Sequence, residues 1–277
     1  MPSINTNVAA IKARSNLDKV QRELDTSIAR LSSGKRITRA HDDAAGSAIS
    51  GRMESQIRGL NMSIRNIKDG QSLVDTQEGA LQEYAAMLQR MRELAVQSTG
   101  GTVTTSDRDY LQLEVIQLFD EMTAISQNTK FNDTRVLTGA QFSFYTDIDA
   151  AGTAIDSKVL KMGPASLGIT KVLVSIGSGT TGIASLASMI GLIDGAIGSV
   201  AAFRAEVGAI SNRFDHVIDN LTNVVANTEA AKSRVEDADF AVETTQLTRN
   251  TVLQQAATSM VAQANAQKNT ILALIQG

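Results

Sequence analysis

The sequence contains no cysteine and no tryptophan, and it has only two prolines in 277 residues. Without cysteine, disulfides, cysteine-ligated zinc, iron–sulfur clusters and thiol nucleophiles are all excluded. Aromatic residues make up only 4% of the chain, although 43% of it is hydrophobic. A chain of this length can bury a real apolar core, and this composition favours long helices that pack closely through small side chains.

An excess of positive charge is also absent. Lys and Arg total 26 against 29 Asp and Glu, which gives a net charge of -3 and no overall basic surface to collect phosphates. A basic streak at Arg52, Arg58, Arg65 and Lys68 has no interleaved aromatics for base stacking. Contacts of this streak with acidic neighbours are therefore favoured over contacts with nucleic acid.

Two segments bear on export and on membranes. The amino-terminal 17 residues lack the apolar core of roughly 7 to 15 residues that a secretory signal needs, so we expect any export to use another route. Residues 179–203 carry one charge, Asp194, and are long enough to cross a bilayer. Because serines and glycines dilute this segment and a central Asp costs roughly 2.5 kcal/mol or more, we interpret it as a buried helix.

Apolar residues recur at spacings of three and four through both halves of the chain, as in helices that pack side by side. In the first half the pattern predicts two helices, around 81–95 and 111–125. Paired glycines end the first of these helices, and the second has three candidate caps, which are Thr105, Ser106 and Asp107. In the second half one heptad register runs through 210–242, and 209–276 contains neither Gly nor Pro, which predicts a coiled coil or extended bundle.

The extreme ends add amphipathic segments, the first of which should stop near Ser32, Ser33 and Gly34. Apolar side chains there would be unshielded in a free chain, a condition that favours disorder or association. Association would use the apolar residues of both ends, namely Ile4, Val8, Ile11, Leu17, Leu24, Leu31, Leu253, Met260, Val261, Ile271, Leu272 and Leu274.

Only the middle of the chain has strand patterns. The segments FSFYTDID and SKVLKM flank residues 150–153 as a hairpin, and KVLVSIG is a candidate third strand. The predicted fold class is therefore mainly α: a long antiparallel helical bundle or coiled coil built from the two halves, with a small β-hairpin region at about 140–180.

The sequence gives only weak signals for a nucleotide-binding, metal-binding or catalytic site. Gly177, Gly179 and Gly182 have dinucleotide-binding spacing, but no second parallel strand follows and Asp194 comes too early to bind a ribose, so we interpret them as a flexible connection. The two histidines belong to no metal-binding pattern. We interpret the carboxylates at 42–43 and 236–239 as helix caps and solvated charges, and we expect no enzyme activity, cofactor or metal.

Several blocks, in the correct order at both ends, resemble bacterial flagellin. They are INTNVAA, LSSGKRITRAHDDAAGSAIS, LQRMRELAVQS, FNDTRVLTG, NRFDHVIDNLTNVVANTEAAKSRVEDADFAVET and LQQAATSMVAQANAQKNTILALI. The resemblance implies a structural subunit that polymerises into the flagellar filament for swimming motility. Terminal helices at 1–44 and 241–277 would form the inner tube, and 45–240 the core domain, without outer variable domains.

The resemblance also implies partners and a location. A flagellin leaves the cell unfolded through the flagellar type III export apparatus and joins the extracellular filament beneath a cap, next to junction proteins. Its terminal helices would be disordered in the free chain, and an export chaperone would bind about 240–277. Recognition by a Toll-like receptor is implied at Arg90, Leu94 and Glu114, positions that also suit contacts between protofilaments.

Three alternatives to a filament flagellin each depend on a different part of the sequence. A hook–filament junction protein would share the ends, but the blocks LQRMRELAVQS and SRVEDADFAVET look like filament flagellin. A nucleotide-using enzyme would need the glycine-rich segment, and a membrane-inserted secretion translocator would need residues 179–203 to associate with lipid.

Overall fold

The computed structural model describes residues 6–139, 141–145, 154–158, 163–164, 166–169 and 182–276. In this part of the chain five helices and two β-hairpins follow one another, so the predicted mainly α fold with a small β-region is confirmed. The elements are α1 (Val8–Ser33), α2 (Ala44–Ser98), α3 (Thr105–Asn128), β1 (Lys130–Phe131), β2 (Thr134–Arg135), β3 (Gln141–Tyr145), β4 (Ala154–Lys158), α4 (Gly182–Glu236) and α5 (Phe240–Gln276).

The chain packs into two compact units. Unit 1 consists of Met1–Ile57 and Ala226–Gly277, and unit 2 of Arg58–Val225. Both boundaries fall inside a long helix, α2 or α4.

In unit 2, α2 and α4 are antiparallel. Three polar contacts of their side chains run in opposite directions along the two helices: Gln71 to Asp215 at 2.9 Å, Arg204 to Glu78 at 2.8 Å and Arg92 to Asp194 at 2.6 Å. Helix α3 folds back on α2, and the buried Tyr84 hydroxyl of α2 donates a 2.5 Å hydrogen bond to the Met122 carbonyl. Burial raises the pKa of Tyr84 to about 12.

The core of unit 2 explains the apolar stretch in α4. Among the described residues α4 is the helix long and apolar enough to cross a membrane by length and composition. Its Leu186, Met189 and Ile193 are at most 1% exposed and join the same hydrophobic cluster as Leu88 and Met91 of α2. One face of the apolar stretch therefore packs in a protein core.

The β-hairpins lie in unit 2. Strands β3 and β4 are antiparallel, with Gln141 opposite Lys158 and Tyr145 opposite Ala154. The second strand thus begins at Ala154, before the predicted SKVLKM segment. Residues 159–162 and the candidate third strand at 171–177 lie outside the described residues.

A second, short hairpin formed by β1 and β2 was not predicted. Its turn residues Asn132 and Asp133 have φ of 46° and 61°, and paired left-handed residues are typical of a two-residue hairpin turn.

Helix ends follow local chemistry. Helix α1 ends at Ser33 as predicted, because Gly34 adopts φ of 69° and its N–H bonds the Arg30 carbonyl. The cap of α3 is Thr104, one residue before the predicted caps, and it forms a reciprocal capping box with Asp107.

One helix break was missed. The heptad register at 210–242 predicted continuous helix, but α4 ends at Glu236 and α5 begins at Phe240 without any Gly or Pro. The Asp239 carboxylate caps the new helix by accepting from the Ala241 N–H at 2.8 Å.

Candidate assembly surface

Helices α1 and α5 of unit 1 pack against each other along their length as an antiparallel pair, here called the terminal pair. Three polar contacts establish the direction: Asn7 to the Ala264 carbonyl at 2.9 Å, Gln254 to Gln21 at 2.5 Å, and Arg30 to Glu243 at 3.8 Å. Asn7 also caps α1, since its side chain accepts from the Ala10 N–H.

Burial in the terminal pair is shallow: apart from Leu24, its described apolar side chains are half-buried or exposed. Among its described side chains, the buried ones are Leu24 and Ser27 on α1 and Glu243 and Asn250 on α5. Large apolar side chains instead face outward, and those more than half exposed are Val8, Ile11, Phe240, Val242, Val252 and Met260. A helix that is apolar on several sides needs several partners, and one chain supplies only one.

The predicted polymerisation residues divide among several environments. Val8, Ile11, Leu253 and Met260 are exposed, with Met260 at 63%. Leu17, Leu31 and Val261 are half-buried, whereas Leu24 is buried within the unit at 7% exposed. Ile4 and the side chains of Ile271, Leu272 and Leu274 lie outside what the structure describes. Sequence reasoning missed Phe240 and Val252.

A clasp next to the terminal pair joins the connection after α1 to the end of α4. The N–H groups of Arg36 and Ile37 both donate to the Glu236 carbonyl, at 2.7 and 3.4 Å, and the Ala238 N–H donates to the Gly34 carbonyl at 3.0 Å. Backbone bonds of this kind hold the two connections together like a short piece of sheet.

The Glu236 carboxylate is the buried centre of this clasp. It accepts from the Ser50 hydroxyl at 2.6 Å and pairs with Lys35 and Lys232. The hydrogen bond from Lys35, followed by that from Ser50, holds the pKa of Glu236 below its usual range. The interpretation of Glu236 as a solvated charge is therefore wrong, because it is only 9% exposed and fully partnered.

The neighbouring carboxylates are structural, as predicted. Asp42 accepts from the N–H groups of Thr38 and Arg39 and from the Thr38 hydroxyl, and these bonds lower the pKa of Asp42 to about 2. Asp43 accepts from the Gly46 N–H at 2.8 Å and caps α2. Both carboxylates accept hydrogen bonds from backbone N–H groups.

The residues expected at an innate receptor are not all at the surface. Arg90 of α2 and Glu114 of α3 form a 2.7 Å ion pair, and both side chains are more than 40% exposed. Leu94 lies in the hydrophobic core of unit 2 at 0% exposed. The described surface therefore presents the ion pair without the leucine.

No metal-binding group of three His, Asp or Glu side chains is found in the described part of the chain. The glycine-rich spacing at 177–182 lies outside it, apart from Gly182, which begins α4.

Long paired helices whose terminal pair exposes large apolar side chains define a class: structural proteins that associate with other copies or partners. The comparisons with known proteins identify the family. Models of the bacterial flagellin N-terminal and C-terminal helical regions match residues 4–141 and 190–275. A flagellin of Halalkalibacterium halodurans is 39% identical over 274 residues, covering 99% of both chains. The chain belongs to the bacterial flagellins.

Two further similarities bear on whether the chain is a filament subunit or a junction protein. A flagellar filament core protein of Brachyspira hyodysenteriae is 38% identical over 285 residues, again covering 99% of each chain. A solved structure described as a flagellar hook-associated protein of Vibrio parahaemolyticus covers 71% of this chain and all of its own, with a TM-score of 0.62. At 14% identity that likeness shows a shared fold alone. The chain is a structural subunit of the bacterial flagellar filament, and the junction protein is not favoured.

Proposed function

We propose that the terminal pair is the polymerisation element of this subunit. In this proposal 1–44 and 241–277 line the inner tube of the filament, and 45–240 form the surrounding core domain. The exposed apolar side chains of the terminal pair carry the proposal, because the described part of unit 1 does not cover them. Neighbouring copies would cover them.

The energetics favour association strongly. Full burial of one large apolar side chain is worth roughly 1.5–3 kcal/mol relative to exposure. Val252, Val242 and Met260 are each between 55 and 63% exposed, so each retains about half of its gain or more for an intermolecular contact. Because every copy would contribute such side chains to several neighbours, the gains add along the filament and can exceed the cost of immobilising a subunit.

The test replaces Val252 by Asn in the full chain. The subunit should keep its helical content and thermal stability, since this side chain is 58% exposed. The subunit concentration needed for filament growth should rise about tenfold, which corresponds to roughly 1.4 kcal/mol of lost burial at each contact. Seeded growth followed by light scattering measures this concentration.

The matched control is Val96→Asn on α2 in unit 2, where the side chain is 47% exposed and also helical. This control should polymerise as the parent does. Equal growth of the Val252→Asn subunit and the parent would contradict the proposal.

We also propose that the subunit is exported unfolded by the flagellar apparatus, that a chaperone covers 240–277 before export, and that cap and junction proteins meet the filament outside the cell. The resemblance to flagellins supports this, as does the lack of cysteine, since a chain without disulfides can pass unfolded through a channel. In cells without the export apparatus the chain should accumulate inside. Its appearance in the medium of such cells would contradict export by the flagellar apparatus.

Recognition by a Toll-like receptor is proposed at the exposed Arg90–Glu114 pair. Charged side chains in a fork geometry are suited to protein interfaces, whereas the buried Leu94 would contribute by shaping the surface from below. Arg90→Ala should weaken receptor activation in reporter cells. Arg92→Ala, which removes a similarly exposed arginine paired with Asp194, should not.

A further inference from the structure

Met260 of α5 is the most exposed methionine among the described residues. Its side chain is 63% exposed, Met62 of α2 follows at 49%, and Met53 is half-buried. The methionines in the core of unit 2 are at most 9% exposed, namely Met87, Met91, Met122 and Met189. A thioether inside a core is closed to a reagent dissolved in water, so such a reagent would act mainly on Met260 and Met62.

Met260 lies on the outward face of α5. Val252 precedes it by eight residues and Leu253 by seven, and at 3.6 residues per turn these spacings place the three side chains on one face of the helix. The face toward α1 instead carries the buried Glu243 and Asn250. Under the proposed function, the face with Met260 is the one that other copies cover.

The composition directs oxidants to methionine. Thiolates and thioethers are the side-chain groups on the oxidation ladder of peroxides. The chain contains nine methionines and no cysteine. Because no thiol competes for the oxidant, the thioethers are the remaining targets of this kind.

Oxidation of Met260 needs only a hydroperoxide and releases water. With hydrogen peroxide, the sulfur lone pair attacks one oxygen, an S–O bond forms and the O–O bond breaks. The other oxygen leaves as water after proton transfer, so the sulfur loses two electrons and the peroxide gains two. A sulfoxide reductase reverses the change with electrons from two thiols, which become a disulfide while the sulfoxide oxygen leaves as water.

The sulfoxide is unsuited to an apolar contact. Oxidation replaces a flexible apolar thioether by a polar S=O group that accepts hydrogen bonds from water. Covering that oxygen with apolar side chains of another copy would leave it without a donor, and burial of an unpaired polar group costs free energy. A contact that favours addition of the subunit thereby becomes one that opposes it.

We propose that Met260 is an oxidation-sensitive site that controls the addition of a subunit to the filament. Hydroperoxides convert its thioether to the sulfoxide in the free subunit, the oxidised subunit adds poorly, and enzymatic reduction restores it. The proposal rests on the proposed function for the surface that covers Met260. Whatever conformation α5 has in the free chain, no second copy covers Met260 there, whereas neighbours shield it after incorporation.

The experiment measures the subunit concentration needed for filament growth before and after treatment with hydrogen peroxide. Peptide mass spectrometry gives the oxidised fraction of each methionine in the same samples. When Met260 is fully oxidised, this concentration should rise about tenfold, since the apolar contact of one methionine is lost at each addition. Treatment with sulfoxide reductase and dithiothreitol should restore the original concentration.

Two methionine variants form a matched pair. Met260→Leu has an apolar side chain of similar size without sulfur, so peroxide should leave the growth concentration of this variant as it was before treatment. Met62→Leu removes the exposed thioether in unit 2, and peroxide should raise its growth concentration as much as that of the parent. Each variant is compared with itself, so a direct effect of the substitution cancels.

Incorporation should protect the thioether. At equal peroxide concentration, Met260 should be oxidised roughly tenfold more slowly in filaments than in free subunits, because susceptibility follows exposure. Free methionine added to both samples reports the amount of active oxidant.

Three results would overturn the inference. Unchanged growth of a parent whose Met260 is oxidised would show that the sulfoxide is tolerated. A rise in Met260→Leu equal to that of the parent would assign the effect to another side chain. Equal oxidation of Met260 in filaments and free subunits would show that no copy covers it.

The proposed function is tested separately by Val252→Asn. If that substitution raises the growth concentration while the oxidised parent grows as before, the terminal pair remains the polymerisation element and only the role of Met260 oxidation fails. Growth of Val252→Asn at the concentration of the parent contradicts the proposed function itself.

Discussion

Glu236 is a buried carboxylate whose partners come from distant parts of the chain. Lys35 and Ser50 lie about 200 residues away in sequence, although both contact it directly. No local sequence pattern identifies a buried carboxylate with distant partners. The acidic residues next to Glu236 favoured its interpretation as a solvated charge. By contrast, the cap residues Gly34 and Asp43 act on backbone groups within three or four positions, which is why the sequence alone predicted them.

The clasp should weaken in acid. Because the pKa of Glu236 is lowered in the folded state, its contribution is complete above the ordinary glutamate value of about 4.3 and is lost as the pH falls through the lowered pKa. The pKa of Lys35 is raised by the same pair, so the contribution of Lys35 is complete below its ordinary value and is lost only at high alkaline pH.

Glu236→Gln therefore tests the clasp at neutral pH. The substitution should speed hydrogen exchange at the Arg36 and Ile37 amides about fivefold, which corresponds to about 1 kcal/mol after allowing for the half-exposed Lys35. This difference should shrink as the pH falls and vanish below the lowered pKa, where both chains carry a neutral side chain. Glu229→Gln, at an exposed position of α4, is the control. Equal exchange rates of parent and variant at neutral pH would contradict the prediction.

At the scale of elements, long helices were predictable because their apolar spacing repeats many times, while short elements were not. The β1–β2 hairpin has two residues in each strand, too few for a pattern, and only its Asn132–Asp133 turn carries a signal. The break between α4 and α5 is likewise invisible in the heptad register. It is made by Asp239 and by bonds from the distant Arg36 and Ile37.

Gly70 positions an element that the sequence could not place. A Cβ at Gly70 would lie 2.9 Å from the ring of Phe144 in β3, and that ring packs edge-on against Phe214 at 5.5 Å. The β3–β4 hairpin thus rests on α2 where the helix has no side chain, a close approach that requires glycine.

Two matched Gly→Ala substitutions in α2 distinguish the effect of the Gly70–Phe144 contact on stability from the effect of helix propensity. Gly79→Ala meets no atom within 4 Å and should stabilise unit 2 by up to about 1 kcal/mol. Gly70→Ala makes the same change but must displace Phe144, and it should destabilise unit 2 by about 1–3 kcal/mol. Guanidinium unfolding followed by circular dichroism measures both. An equal gain in the two variants would show that the hairpin moves away without cost.

At the scale of the whole molecule, the ends of the chain make one unit and the middle makes another with its own core. Periodicity predicted that the two ends are helical and need partners. It did not predict that Ser27, Glu243 and Asn250 are buried in the terminal pair, since apolar spacing gives no signal for a buried polar residue.

Removal of residues 245–277 tests this division. Unit 2 should keep its thermal unfolding midpoint, because its core involves only residues between Leu60 and Val225. Polymerisation should stop, because α1 loses its partner and most outward apolar side chains of α5 are gone. Sedimentation and calorimetry read the two outcomes separately. Filaments formed by the truncated chain would refute the role of the terminal pair.

If the terminal pair polymerises the subunit as proposed, the outward apolar side chains of α5 link the solubility of the free subunit to the growth of the filament in one equilibrium. Every roughly 1.4 kcal/mol gained at a contact lowers tenfold the subunit concentration at which growth begins, and lowers by the same factor the concentration at which free chains stay dispersed. Under the same proposal, Val252 and Met260 limit the concentration of free subunit before export and also set the strength of the filament contacts. A subunit with stronger filament contacts would have to be synthesised more slowly, or be bound by a chaperone for longer, to stay dispersed before export.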